Sequence, residues 1–170
     1  MMNRMVLVLL SALAVAGCKT QYSWTSDVPQ RLRTVSVPTF RNESDVTELG
    51  VVSATQILRE FQREGTFKIA GHDDAAVEVQ GIIKNVTSST NGGDRRTGYR
   101  MYDCSLTMIA EVSVVERING RVLVDNKRYT ATTTYVYGPI DNTTATRDAS
   151  GRLAEDLARQ VVDDVLAVQW

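Results

Sequence analysis

Histidine is almost missing from this 170-residue sequence: His72 is the only one, set among 19 Lys/Arg and 20 Asp/Glu. One imidazole beside Asp73 and Asp74 does not make a metal centre, which needs further ligands converging on it, and the two aspartates read more naturally as a polar turn. A serine nucleophile would have to share that histidine, and no serine stands in a G-x-S-x-G context. Gly92-Gly93 lacks the following Lys-Ser/Thr of a phosphate-cradling loop. The charges nearly cancel at -1, so the basic stripe of a nucleic-acid binder is absent as well. These gaps argue against an enzyme, a metal, a cofactor and a nucleic-acid partner, and catalytic residues are expected to be none. Cysteine is equally scarce, with two in the chain. A disulfide-stapled scaffold is therefore excluded once one of them is otherwise engaged.

The longest apolar run, Met5 to Val15, follows a single early positive charge at Arg4 and is too short for a comfortable membrane span. It has the layout of a secretory signal. Its end differs from an ordinary signal: Val15-Ala16-Gly17-Cys18 resembles the lipobox of bacterial lipoproteins, which implies cleavage before Cys18 and lipidation, palmitate included, at Cys18. Cys104 then has no partner and, lying in an alternating apolar pattern, is expected to be a small buried residue. Residues 1–17 are read as the signal peptide, 18–31 as the lipidated N-terminus and a short polar tether, and 32–170 as one domain. The thirteen residues Lys19 to Arg31 reach no more than about 45 Å, so the domain is expected to work close to the membrane face. A hydrophobic content of 43% is enough for one sizeable core.

Leu32 to Val37 alternates apolar and polar and predicts a first strand ending at Pro38; Phe40-Arg41-Asn42-Glu43 reads as a turn into a helix. Ser44 or Thr47 is the expected N-cap, and Gly65 the stop after Glu64. Val51, Ala54, Leu58 and Phe61, with Ile57 alongside, predict the covered face. Thr66 to Ala70 predicts a short strand. Three long β segments follow: Ala76 to Ser89, Tyr99 to Arg117 and Arg121 to Tyr137, each with one apolar and one polar side. Asn119-Gly120 is the expected hairpin turn, both residues tolerating positive φ, and Thr90 to Gly98 reads as a long glycine-rich loop. The last helix is expected over about Asp148 to Val168, with Leu153, Ala154, Leu157, Ala158, Val161, Val165 and Leu166 as its apolar face. The resulting class is α+β: two helices packed on one face of a largely antiparallel or mixed four-stranded sheet, in the order strand, helix, strands, helix.

Among the arginines, Arg95 and Arg96 at the loop tip, Arg100 after it and Arg147 at the start of the last helix would share one rim if loop and helix start are neighbours. Guanidinium forks suit phosphates, although solvated loop charge is the readier account of them. Thr107, Thr130, Thr132 and Thr134 make a hydroxylated sheet face suited to solvent or to docking. Trp24 and Trp170 either meet a partner or lipid interface or return to the core.

Beyond these patterns, the chain from Cys18 to Trp170 resembles the lipopolysaccharide-assembly lipoprotein family LptE. The resemblance is carried by Gly17-Cys18 with Tyr22-Ser23 close behind, Val28-Pro29, the block Arg33 to Pro38, Phe40-Arg41-Asn42, Glu60-Phe61 with Phe67-Lys68-Ile69, Gly81-Ile82-Ile83 and the terminal amphipathic helix. It implies an anchor in the inner leaflet of the outer membrane, on the periplasmic face, with Lys19 similar to outer-membrane-retained lipoproteins. It also implies a place as plug inside the β-barrel partner LptD, assisting barrel assembly and lipopolysaccharide insertion at the cell surface. By position it implies lipopolysaccharide contacts at Arg95, Arg96 and Arg147. The rival resemblance is to penicillin-binding-protein activators of the LpoB type, which share a lipobox and the strand-helix-strand start but need a long linker that the short tether does not provide.

Overall fold

Three long strands form the floor of the molecule, and two helices lie across one side of it. The computed structural model describes residues 28–94, 101–138 and 142–170; Cys18, Trp24, Arg95, Arg96 and Arg100 lie outside the described residues. The elements are β1 (Thr34–Ser36), β2 (Arg41–Asn42), α1 (Leu49–Glu64), β3 (Lys68–Ile69), β4 (Val77–Asp94), β5 (Met101–Glu116), β6 (Arg121–Tyr137) and α2 (Asn142–Leu166), with short 3-10 turns at Gln30–Leu32 and His72–Asp74. The sheet runs β3-β1-β4-β5-β6, with β2 also against β4. β1 is parallel to β3 and β4, β2 is parallel to β4, and β4-β5-β6 is an antiparallel meander. The expected α+β class holds. The sheet has six strands rather than four: β3 falls within the strand expected at Thr66 to Ala70, whereas β2, two residues long, forms only by parallel pairing with β4, which leaves no local signal.

Period-2 alternation set the sides of the meander as expected: Cys104, Leu106, Met108, Ala110, Val112 and Val114 are all buried. α2 buries Leu153, Leu157, Val161 and Val165 with Ala154, Ala158 and Val162. α1 buries Leu49, Gly50, Ser53, Ala54, Ile57 and Phe61 and ends on Gly65 at φ 86°, the left-handed stop the sequence announced. Val51 is instead 57% exposed, because the stripe runs through Gly50, Ala54, Ile57 and Phe61 and leaves Val51 beside it. Trp170 returns to the core, its ring 5.7 Å from Phe67, which itself meets Phe61 edge-on at 5.3 Å. Val28, in the stretch read as tether, is also buried in the core.

Four expectations are corrected. Neither Ser44 nor Thr47 caps α1; Glu48 stands at the cap position without a side-chain bond. The Asn42 side chain has claimed that turn, donating to the Val46 carbonyl at 2.7 Å and accepting from the Ser44 amide and hydroxyl. The stretch Thr90 to Asp94 is strand, not loop: it pairs with Met101 to Cys104, a bulge absorbing Asn91, whose amide bonds Ser105. The β5-β6 hairpin turns at Asn119-Gly120 as expected, but its connection spans Arg117 to Gly120, with Gly120 alone at positive φ (65°) and the Asn119 side chain folded back onto Glu116 at 2.9 Å. Finally, α2 begins at Asn142, before the predicted Asp148, with Ala149 and Ser150 buried against the domain.

Edge strand β6 is long, and its carbonyls would be open to pairing. Two of them are occupied by α2: Gln160 donates to the Thr130 carbonyl at 3.2 Å and Arg152 to the Thr134 carbonyl at 2.9 Å. The spacings agree, since eight helical residues rise about 12 Å and four strand residues about 13 Å.

Candidate functional site

Of the arginines singled out by sequence, the structure places Arg147. It lies exposed in the second turn of α2, on the rim of a cleft of about 510 Å³ between the starts of the two helices. The opposite lip is Asp45 to Leu49, held in shape by the Asn42 turn, with Val52, Thr146 and Ser150 completing the lining. Ser150 is not a free donor, since its hydroxyl bonds the Thr146 carbonyl at 2.9 Å. Among the described residues no ion pair engages Arg147, although Asp45 and Glu48 stand on the facing lip. The cleft therefore offers a mostly apolar floor, one available guanidinium and a helix N-terminus on each side, a combination suited to an amphiphile with an acidic head. β4 ends at Asp94, β5 resumes at Met101, and Tyr102 pairs with Tyr137 at the end of β6. The strands flanking Arg95 and Arg96 thus finish at the end of the sheet from which α2 departs.

A second feature, which the sequence did not reveal, is the seat of Phe40. Its amide donates to the Gly50 carbonyl at 3.3 Å, and its buried ring lies directly on Gly81. A β-carbon at Gly81 would sit 2.1 to 2.4 Å from three ring carbons, and one at Gly50 would meet the Phe40 carbonyl oxygen at 2.3 Å. Phe40-Arg41-Asn42 is accordingly a structural latch: ring on β4, side-chain amide on the approach to α1. Just beyond it Glu43 takes a hydrogen bond from Lys84 at 2.5 Å, which, with the charges of Lys84 and Arg41 and against partial desolvation, holds its carboxyl below the usual range.

Two buried carboxylates mark the other end of the sheet. Glu116 is 2% exposed and meets Arg31 at 3.6 Å and Arg121 at 3.3 Å. Glu78 accepts from His72 Nδ1 at 2.9 Å and from Gln80 at 2.8 Å, with Arg117 at 3.5 Å. Buried carboxylates persist only when so paired. His72 is thus a ligand to a glutamate, with its Nε2 facing Arg117 at 3.4 Å. Among the described residues no group of three or more His, Cys, Asp or Glu stands together as a metal would require. On α2, Asp164 accepts from the Tyr129 hydroxyl at 2.7 Å and pairs with Lys127 at 2.5 Å. Burial and the Asp164 contact push the Tyr129 hydroxyl far above its ordinary value. Burial alone would raise Asp164, but bonds from Lys127 and Tyr129 and the Lys127 charge hold it low.

Cys104 is buried, 3.9 Å from the Thr90 hydroxyl. The open sheet face carries Thr107 and Thr132 in mutual contact at 3.2 Å. No helix among the described residues is long and apolar enough to cross a membrane.

No curated protein matches the chain. Among solved structures it is similar to a candidate neuraminyllactose-binding hemagglutinin homologue from Helicobacter pylori (9% identity, TM-score 0.50, covering 82% of this chain and 89% of that one). It is also similar to a candidate lipoprotein from Caulobacter crescentus (17%, 0.48, 81% and 91%) and to a minor lipoprotein from Acinetobacter baumannii (17%, 0.44, 82% and 94%). The lipopolysaccharide-assembly family, LptE, matches residues 32–165, the whole span from the first 3-10 turn to the last turn of α2, and the chain belongs to that family.

Proposed function

We propose that this chain is a non-catalytic lipoprotein of the outer membrane, cleaved after residue 17, acylated at Cys18 and held on the periplasmic face, where it plugs the LptD barrel, assists its assembly and aids lipopolysaccharide insertion at the cell surface. The observation that carries this reading is the family match over residues 32–165. The cleft supports a part in handling lipopolysaccharide: among the described residues Arg147 has no ion pair, it stands above an apolar floor, and lipid A joins phosphates to acyl chains. Arg95 and Arg96 join the proposed contact set by their place between β4 and β5. The hydroxylated open face, around Thr107 and Thr132, is the surface offered to the barrel wall.

The test is a photo-crosslinker placed in living cells at Thr132 and, separately, at Arg147. Capture of a large outer-membrane barrel from Thr132 supports the plug; no barrel from either position, with the chain present and folded, refutes it. In parallel, Arg147→Ala combined with replacement of Arg95 and Arg96 weakens lipopolysaccharide binding, and unchanged binding removes these residues from the site.

A further inference from the structure

Among the described residues Ile118 is the most exposed large hydrophobic, at 65%, and it sits on the β5-β6 turn between Arg117 and Arg121. Val122, next along, is 52% exposed. Ile118 belongs to neither the core nor the cleft, and Val122, paired with Val115, lies at the near end of the open sheet face. The same end of the domain receives the chain from its N-terminus. Val28 is buried there, its carbonyl accepting from Arg33 at 3.0 Å, and Arg31 reaches Glu116 at the root of the turn. Register confirms the level, since Val35, Val77, Glu116 and Arg121 stand in one row across the sheet.

We propose that this turn, Ile118 flanked by Arg117 and Arg121 with Arg31 beside it, docks on the phospholipid headgroup layer of the membrane that carries the N-terminal lipid. The inference rests on the reading of Cys18 as the acylated residue. Ten residues separate Cys18 from Val28, so Val28 is kept within about 35 Å of the acylated residue. An exposed aliphatic side chain beside the exposed Arg31 and Arg121 matches the layered chemistry of an interface, phosphates outside and acyl chains beneath, while Arg117 is turned in toward Glu78. Arg31 and Arg121 share the single carboxylate of Glu116, which leaves one positive charge of that trio uncancelled for a phosphate. Exposed Asp73 and Asp74 on the nearby 3-10 turn keep the patch from being strongly basic. The tip is therefore an orienting contact: the lipid holds the protein at high local concentration, and the tip decides which end faces the bilayer.

The test uses the full-length acylated chain, reconstituted in vesicles of phosphatidylethanolamine and phosphatidylglycerol without lipopolysaccharide. An environment-sensitive fluorophore is attached at Ile118→Cys or, for comparison, at Val136→Cys, which is 51% exposed near the far end of β6. Cys104 is buried and stays unlabelled. The expected result is a blue shift at 118 with loss of most emission to headgroup-level nitroxide lipids, and aqueous emission at 136. Flotation with the vesicles while both positions stay aqueous overturns the docking tip and leaves the anchor standing. Failure to float overturns the anchor and the proposal together. Quenching at 118 that appears only when lipopolysaccharide is added overturns phospholipid as the occupant, and quenching indifferent to exchange of phosphatidylglycerol for phosphatidylcholine overturns the part given to the arginines.

Discussion

Replacing Gly81 by alanine adds one methyl group to a strand whose backbone accepts any residue, so the consequence is purely one of space. The added carbon would lie 2.1 Å from the nearest Phe40 ring carbon, where non-bonded carbons rest about 3.5 to 4.0 Å apart. The ring must withdraw by roughly 1.5 Å, and it has little room. Its own backbone is tied to α1 through the Phe40 amide and the Gly50 carbonyl, and Gly50 lies so close that it tolerates no β-carbon either. Relief requires α1 and the β1-β2 segment to lift from β4. Overpacking of this kind costs about 1–3 kcal/mol, and complete loss of a buried phenylalanine about 3–5 kcal/mol, so G81A is expected near 3 kcal/mol. For a domain of this size that is a fall in Tm of roughly 6–12 °C. Urea unfolding followed by circular dichroism measures it. Gly71→Ala is the comparison, since nothing lies within 4 Å of its β-carbon, and it should change stability by less than about 1 kcal/mol. The decisive variant is the double one. With Phe40→Ala the ring is gone and the Gly81 methyl falls into the vacated space, so F40A/G81A should be milder than the sum of its parts by about 2 kcal/mol. Additivity to within about 0.5 kcal/mol would refute the account of Phe40-Arg41-Asn42 as a latch.

Three further outcomes follow from particular contacts. Gly65→Ala, at φ 86° with open space around it, should cost about 1 kcal/mol through the backbone alone, and a neutral result in the same urea assay removes the left-handed stop of α1. The Tyr129-Asp164-Lys127 group sets two pH limits. Asp164 has its folded pKa lowered, so its contribution is present above the unfolded value near 4 and lost as pH falls below it. Tyr129 has its folded pKa raised, so its contribution is complete below about pH 10 and lost as pH rises beyond. Asp164→Asn should flatten the acid loss and Tyr129→Phe the alkaline loss in stability measured against pH; profiles parallel to the parent's would contradict the assignment. Arg152→Ala with Gln160→Ala should cost less than about 1 kcal/mol yet raise concentration-dependent association, read by light scattering, because two β6 carbonyls lose their covers. Unchanged association would mean that the edge is protected by something else.

What could be read from the residues was what repeats locally. The alternation from Cys104 to Val114 and the Leu153 to Val165 stripe each specify a buried face within one element, and Gly65 carries its own conformational reason. What escaped was set by partners distant in sequence. β2 is too short to have a period, and it exists because Ile82-Ile83 lies alongside. Gly81 looks like any strand glycine until Phe40 is placed on it. Glu78 alternates with buried Val77 and Val79 while Glu116 continues the apolar side of β5, and both carboxylates are held by arginines from the N-terminal segment and the β5-β6 connection, which no local pattern announces. The glycine pair at 92–93 suggested a loop, yet the antiparallel pairing of β4 with β5 carries through it. At the candidate site, chemistry suggested an arginine and position suggested the start of α2. The cleft beneath Arg147 depended on where α1 begins, which the Asn42 turn decides.

The most direct test of the function is depletion of this protein in its own cells, followed by fractionation of lipopolysaccharide and labelling of its surface-exposed portion. Newly made lipopolysaccharide should accumulate short of the cell surface while unrelated outer-membrane proteins keep their place. Normal surface delivery after complete depletion would contradict a role in lipopolysaccharide assembly.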